Sequence, residues 1–127
     1  PKARPRFSRV GKFVKTYDCQ TKESREIQRQ IYDQLPSELI LKPIDDPISV
    51  VMRFYTPIPK SWSKKKQDKF NGMVDVRCNG DVDNLQKLGL DCMNGIVFRD
   101  DCLVVRLYGE KIYSDNPRTV ISIEIIE

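Results

Sequence analysis

Three stretches of alternating apolar residues restrict this chain to folds built on a β-sheet. In 48–57, ISVVMRFYTP, the residues Ile48, Val50, Met52 and Phe54 fall on one face. In 102–113, CLVVRLYGEKIY, Leu103, Val105 and Leu107 alternate with Val104, Arg106 and Tyr108. In 118–127, RTVISIEIIE, Ile121, Ile123 and Ile125 alternate with Val120, Ser122 and Glu124. Strand side chains point to opposite faces with a period of two, so each stretch reads as a strand with a face on a core. Val51 and Tyr55 make the other face of the first stretch partly apolar, which predicts cover on both sides. SDNP, 114–117, supplies a turn and predicts a hairpin-like pair of the last two strands. A short strand is also expected in GMVDVRC, 72–78.

A helix is expected in 21–36, TKESREIQRQIYDQLP. Ile27, Ile31 and Leu35 recur every four residues, Thr21 is placed to cap the start, and Pro36 closes the end. Strands mixed with helices predict an α/β or α+β fold, a mixed sheet with helices packed on it. A length of 127 residues suits one domain, 1–127, and no internal repeat divides it. The chain begins at Pro1 without a methionine, which leaves room for a preceding segment. No apolar run approaches the roughly 20 residues that cross a bilayer, and no signal-peptide pattern is present.

The net charge is +4, but its distribution is more informative. The opening segment, PKARPRFSRVGKFVK, carries Lys2, Arg4, Arg6, Arg9, Lys12 and Lys15 without an acid. A second cluster, KSWSKKKQDKF, holds Lys60, Lys64, Lys65, Lys66 and Lys69 against Asp68, with Ser61 or Ser63 as a cap for a short helix. Such blocks attract polyanions by neutralising phosphates; the plainer reading is a solvated surface. Cys19, Cys78, Cys92 and Cys102 form no C-x-x-C pair, and the chain has no histidine. A zinc site is disfavoured, and the thiols read as reduced, mostly buried groups of a cytoplasmic protein. Any nuclease mechanism that needs a histidine is excluded.

Against this basic background, GDVDNLQKLGLDCMNG, 80–95, concentrates acids on a predicted helix. Asp83 suits an N-cap or first turn, Leu85, Leu88 and Cys92 mark the inner face, and Asn94-Gly95 ends the helix. Asp83, Lys87 and Asp91 then form an i, i+4, i+8 stripe, Asp81 lies in the loop before it, and Asp100-Asp101 follows shortly after. Each feature alone is more often a cap, turn or surface pair. Together they make a set of hard oxygen donors suited to Mg²⁺ or Mn²⁺, with Lys87 as a cation for a phosphate.

The run D-x-D-N-L-x-K-x-x-x-D-x-x-N-G, followed by D-D, resembles the RusA-type Holliday junction resolvases of phages and prophages. It is carried here by Asp81, Asp83, Asn84, Leu85, Lys87, Asp91, Asn94, Gly95, Asp100 and Asp101. The P-K-x-R-P-R opening is similar to phage members as well, while residues 37–78 carry the likeness more weakly. The resemblance implies a small α/β subunit that acts as a homodimer on a four-way DNA junction. It implies Mg²⁺ (or Mn²⁺) held by Asp81, Asp83 and Asp101, with Lys87 essential and Asp100 and Asp91 in supporting places. Relatives often have Lys-Pro before the first aspartate, where this chain has Asn79-Gly80. Lys2, Arg4, Arg6, Arg9, Lys64, Lys65 and Lys66 are the candidate DNA contacts. Trp62 and Phe70 read as local packing in preference to a wedge at the branch point. Two other classes compete: a non-catalytic binder of branched DNA, and a protein-interaction module whose acidic helix docks a basic partner.

Overall fold

A computed structural model describes residues 12–18, 23–77 and 81–126. The strands are β1 (Lys12–Tyr17), β2 (Ile48–Pro57), β3 (Val104–Ser114) and β4 (Arg118–Ile125). The helices are α1 (Ser24–Asp33), α2 (Ser37–Leu41), α3 (Lys64–Phe70) and α4 (Val82–Met93), with a 3₁₀ turn at Asp101–Leu103. The strands form one four-stranded mixed sheet in the order β1-β4-β2-β3, and helices pack on it, as an α+β fold requires. No helix among the described residues is long and apolar enough to cross a membrane.

β2 is central because its apolar row is the most complete. Ile48, Val50, Met52 and Phe54 are buried, and they meet Ile121 and Ile123 of β4, Ile27 and Ile31 of α1, and Cys92 and Met93 of α4. Burying each large aliphatic or aromatic side chain contributes about 1.5–3 kcal/mol. The opposite face of β2, with Val51 and Tyr55, remains half exposed, so the cover predicted there is only partial. Arg118 lies over the Tyr55 ring at 4.0 Å on that strand.

Two expectations are corrected by the sheet. β3 and β4 are not a hairpin: β2 lies between them, parallel to β3 and antiparallel to β4. The 115–117 connection therefore passes over the end of β2, where Pro57 pairs with Ser114 and Tyr55 with Arg118. β3, with Arg106 and exposed Val105, Leu107 and Tyr108, has the poorest apolar row and takes the edge. The second correction concerns the end of the basic arm. Lys12–Tyr17 is the edge strand β1, and Lys15 is turned inward, its amine donating to the Gln34 carbonyl at 3.2 Å. Burial lowers the Lys15 pKa. Thr21, Lys2, Arg4, Arg6, Arg9, Cys19, Cys78 and the Asn79-Gly80 departure lie outside the described residues. Of the other cysteines, Cys92 is a buried free thiol and Cys102 an exposed one.

α4 is held to the sheet by close approach. A Cβ at Gly89 would stand 3.2 Å from Met52 Cε and 3.4 Å from the Tyr17 hydroxyl. Small size is what lets the helix sit there. Gly89→Leu is expected to cost about 2 kcal/mol by overpacking, read as a lower denaturant midpoint at unchanged m-value.

Candidate metal and DNA site

Asp81 is the N-cap of α4, in extended conformation, and its side chain makes no capping hydrogen bond. A capping aspartate normally accepts from an amide of the first turn. Here the exposed carboxylate has no such helix partner. Asp83 sits in the first turn, where it accepts from the Asn84 amide at 2.9 Å. Asp83, Lys87 and Asp91 are all exposed, so the predicted stripe is a solvent-facing one. Cys92 and Met93 are buried on the opposite side, with Leu85 and Leu88 partly buried against the core. Asn94 caps the C-terminus and Gly95 follows with φ +81, the left-handed region that glycine enters without strain.

The second acidic element is the Asp100-Asp101 pair. Asp100 caps the 3₁₀ turn, accepting from the Cys102 amide at 3.4 Å. Its hydrogen bond with Asp101 lowers the Asp100 pKa, and the Cys102 amide adds to this. The same hydrogen bond raises Asp101, and some loss of solvation and the charges of Asp100 and Asp91 raise it further. Like charges in one place oppose ionisation. The Asp91 charge thus reaches Asp101, a link that sequence spacing did not require.

α4 spreads its own acids along its length. Asp81 and Asp83 stand at the N-terminal end of α4. Asp91 lies toward the other end, about 15 Å from Asp81 along the axis at 1.5 Å per residue. Among the described residues, no group of three or more cysteine and acidic side chains could hold a metal ion. The donors fit a hard divalent cation in chemistry, being exposed carboxylates.

The lysine cluster forms α3, with Ser63 as its N-cap accepting from the Lys66 amide at 3.2 Å. Lys64 pairs with Asp68 at 3.2 Å, and Lys66 lies over the Trp62 ring at 4.2 Å. Lys65, Lys66 and Lys69 line an open cleft of about 300 Å³ with Ser63 and Phe70. Trp62 and Phe70 pack on each other at 5.3 Å and on Tyr113 at 5.5 and 6.2 Å, at the base of α3.

Sequence reasoning missed one polar network, below this base. Among the described residues of this segment, 72–77, Val74 makes an isolated bridge to Ile112 in place of a strand. The cause is Asp75, which turns inward: its carboxylate accepts from Thr56 at 2.7 Å and from the Arg77 amide at 2.9 Å. The Arg77 guanidinium bonds it at 3.0 Å and also reaches the Pro57 carbonyl at 2.9 Å. Burial alone would raise the Asp75 carboxyl, but the bonds from Arg77 and Thr56 hold it well below the usual carboxylate range. The only sign in the sequence was an acid inside an otherwise apolar MVDV run.

Comparison with known proteins bears on this geometry. The family model for endodeoxyribonuclease RusA matches residues 1–124. The chain is also 34% identical over 124 residues to the protein named "Uncharacterized protein YqaN" of Bacillus subtilis (strain 168), covering 94% of this chain and 85% of that one. The family match spans the uncapped Asp81, the exposed Asp83–Lys87–Asp91 stripe, the Asp100-Asp101 turn and the lysine-lined cleft, and the chain belongs to the RusA endodeoxyribonuclease family of Holliday junction resolvases.

Proposed function

We propose that this chain is a Mg²⁺-dependent, structure-selective endodeoxyribonuclease that resolves Holliday junctions by paired, symmetric nicks, serving recombination and repair in the cytoplasm. Mn²⁺ is expected to substitute. The observation that carries this reading is the exposed acidic stripe of α4, opened by an N-cap aspartate that does not cap. Asp81, Asp83 and Asp101 would hold the ion, with Asp91 and Asp100 beside Asp101. A bound divalent cation polarises a phosphoryl oxygen and lowers the pKa of water. Lys87, one turn from Asp83 on the same face, binds the scissile phosphate and steadies the charge that develops on it. The lysines of α3 hold duplex arms by their phosphates, which orients the junction without reading bases. A junction presents two equivalent strands about a two-fold axis, so a symmetric homodimer with one acidic site per nick meets its geometry.

The reading is tested by offering a synthetic four-way junction and a matched linear duplex with Mg²⁺. Nicks confined to the junction support it. A junction bound but uncut at every metal concentration supports the non-catalytic branched-DNA binder instead. The DNA-contact part has its own test in salt-dependent binding. Lys65→Ala and Lys69→Ala are each expected to flatten the slope of log affinity against log salt by about 0.9, one phosphate contact each. Lys64→Ala should change it less, because Lys64 already pairs with Asp68.

A further inference from the structure

Lys111 makes an unusual contact for a lysine on a strand. Such side chains normally carry their charge out to water. This one is half-buried, and its Nζ donates to the Arg77 carbonyl at 2.7 Å. Charge-assisted hydrogen bonds of this kind are roughly twice as strong as neutral ones. The residue it holds is already fixed at its other groups. The Arg77 amide donates to Asp75 at 2.9 Å, and its guanidinium reaches Asp75 at 3.0 Å and the Pro57 carbonyl at 2.9 Å. The guanidinium carbon also lies 4.9 Å from the centre of the Tyr113 ring. The Asp75 bonds tie this network to Thr56 on β2. The Lys111 bond adds the orientation of the carbonyl, the end of Arg77 that leads on to Asp81.

Asp81 follows four residues after Arg77, within about 14 Å of extended chain. There the chain returns to β3. The Leu85 amide donates to the Asp81 carbonyl at 3.1 Å at the start of α4, and Gln86 lies against Gly109, where a Cβ would overlap its amide. Side chains two residues apart on a strand share a face and stand about 7 Å apart. Gly109 and Lys111 therefore form one platform on β3. It meets the chain at Arg77 before Asp81 and at Gln86 after it.

What this platform fixes is the direction of Asp81. The carboxylate makes no capping bond, so the helix terminus does not orient it, and the backbone on either side does. Ligands of a bound metal keep their distances within about 0.2 Å. Groups that orient a ligand are typically worth about 10–100-fold in metal affinity.

We propose that Lys111 is a positioning residue of the acidic site: it fixes the Arg77 carbonyl, and through it the direction from which the chain brings Asp81 to the metal. This role rests on the metal-dependent reading of α4, and Lys111 acts in it through Arg77 rather than on the ion or the phosphate. The sign of the effect separates placement from charge. Removing a cation near carboxylates would by Coulomb attraction tighten the binding of a divalent ion, whereas losing the placement of Asp81 weakens it.

The test titrates Mn²⁺ calorimetrically into DNA-free wild type, Lys111→Met and Lys111→Arg, and then follows nicking of a four-way junction against Mg²⁺. Lys111→Met should weaken Mn²⁺ binding about tenfold and raise the Mg²⁺ needed for half-maximal nicking by a similar factor. Its junction affinity in chelator and its thermal midpoint should stay close to those of wild type, because the Asp75 bonds remain. Lys111→Arg keeps the charge and a donor of similar reach, and should recover most of the Mn²⁺ affinity. Unchanged or tighter Mn²⁺ binding by Lys111→Met overturns the positioning role, and a loss of junction affinity in its place makes Lys111 a DNA contact. A thermal midpoint lowered as far as by Asp75→Ala, with Mn²⁺ binding equally weak in both variants, makes it a structural residue and overturns the role as well. If wild type cuts no junction, the proposed function fails, and the Mn²⁺ affinities still decide the role of Lys111.

Discussion

Asp81→Asn and Asp83→Asn are each expected to slow junction nicking by about a thousandfold or more, equivalent to ~4 kcal/mol of transition-state stabilisation. Both should leave the thermal midpoint nearly unchanged. The separation follows from what the side chains do in the folded chain. Asp81 makes no capping hydrogen bond, and asparagine is as good an N-cap, so the helix loses nothing by the change. Asp83 contributes its charge to the first turn of α4 and one hydrogen bond to the adjacent amide, an interaction with the helix dipole of about 0.3–1 kcal/mol. Neither carboxylate is buried, so no large stability term is available to lose. A collapse of nicking with intact folding and intact junction binding therefore reports on metal and phosphate chemistry. Equal nicking by wild type and both variants would remove these residues from the site. A comparable loss of binding would make them structural or DNA-contacting groups instead.

Asp75→Ala is the second large effect, and it acts on stability. The Asp75 side chain is 1% exposed and takes bonds from Thr56, from the Arg77 amide and from the Arg77 guanidinium. Removing it leaves a partly buried cation and a hydroxyl without their acceptor, at a cost of about 3 kcal/mol, which is about 10 °C in Tm for a domain of this size. The effect should depend on pH with a definite sign. The folded carboxyl lies below its unfolded value, which is about 3.9. Its contribution is complete above that value and is lost as pH falls through the lower, folded one. Wild type and Asp75→Ala should thus differ fully at neutral pH and converge in acid, measured by denaturant unfolding at several pH values. A difference that stays constant down to the acid limit would show that the loss is one of packing rather than of the ionised network. The same substitution should disturb nicking, since Asp75 and Arg77 hold the backbone just before the segment that delivers Asp81 to α4.

Much of the fold was legible because its signals are local. The β2 row from Ile48 to Phe54 and the β4 row of Ile121 and Ile123 alternate with a period of two, and both lie in the core. The Ile27–Ile31 spacing and the Asn94-Gly95 stop likewise located α1 and the end of α4. Strand order was not legible, because the alternation of β3 and β4 fixes which faces are apolar but not which strand is their neighbour. The SDNP turn suited a hairpin, yet the more apolar β2 competed for the place beside β4 and won it. β1 was hidden for a related reason. Lys12 and Lys15 made it read as part of a basic arm, and only the Gln34 carbonyl at the end of α1 explains an inward lysine.

The acidic stripe of α4 was legible as spacing, since Asp83, Lys87 and Asp91 follow the helical repeat. Where Asp101 stands relative to it was not, for that depends on how the loop after Gly95 returns to β3. Phe98 pairs with Ile44 in that loop, and Arg99 bonds the Ile44 carbonyl at 2.8 Å. These contacts between distant parts of the chain decide where Asp101 stands. The Asp75 network was equally invisible, because the sequence names its donors without showing that they meet.

The central claim is that the acidic residues around α4 cut branched DNA with a divalent metal. The most direct measurement maps the products of a labelled four-way junction across a Mg²⁺ titration, with a chelator control. The account predicts paired nicks at symmetrically related positions that rise with Mg²⁺ and vanish with the chelator. Stable junction binding with no nick at any metal concentration, or nicking that persists in the chelator, would contradict it.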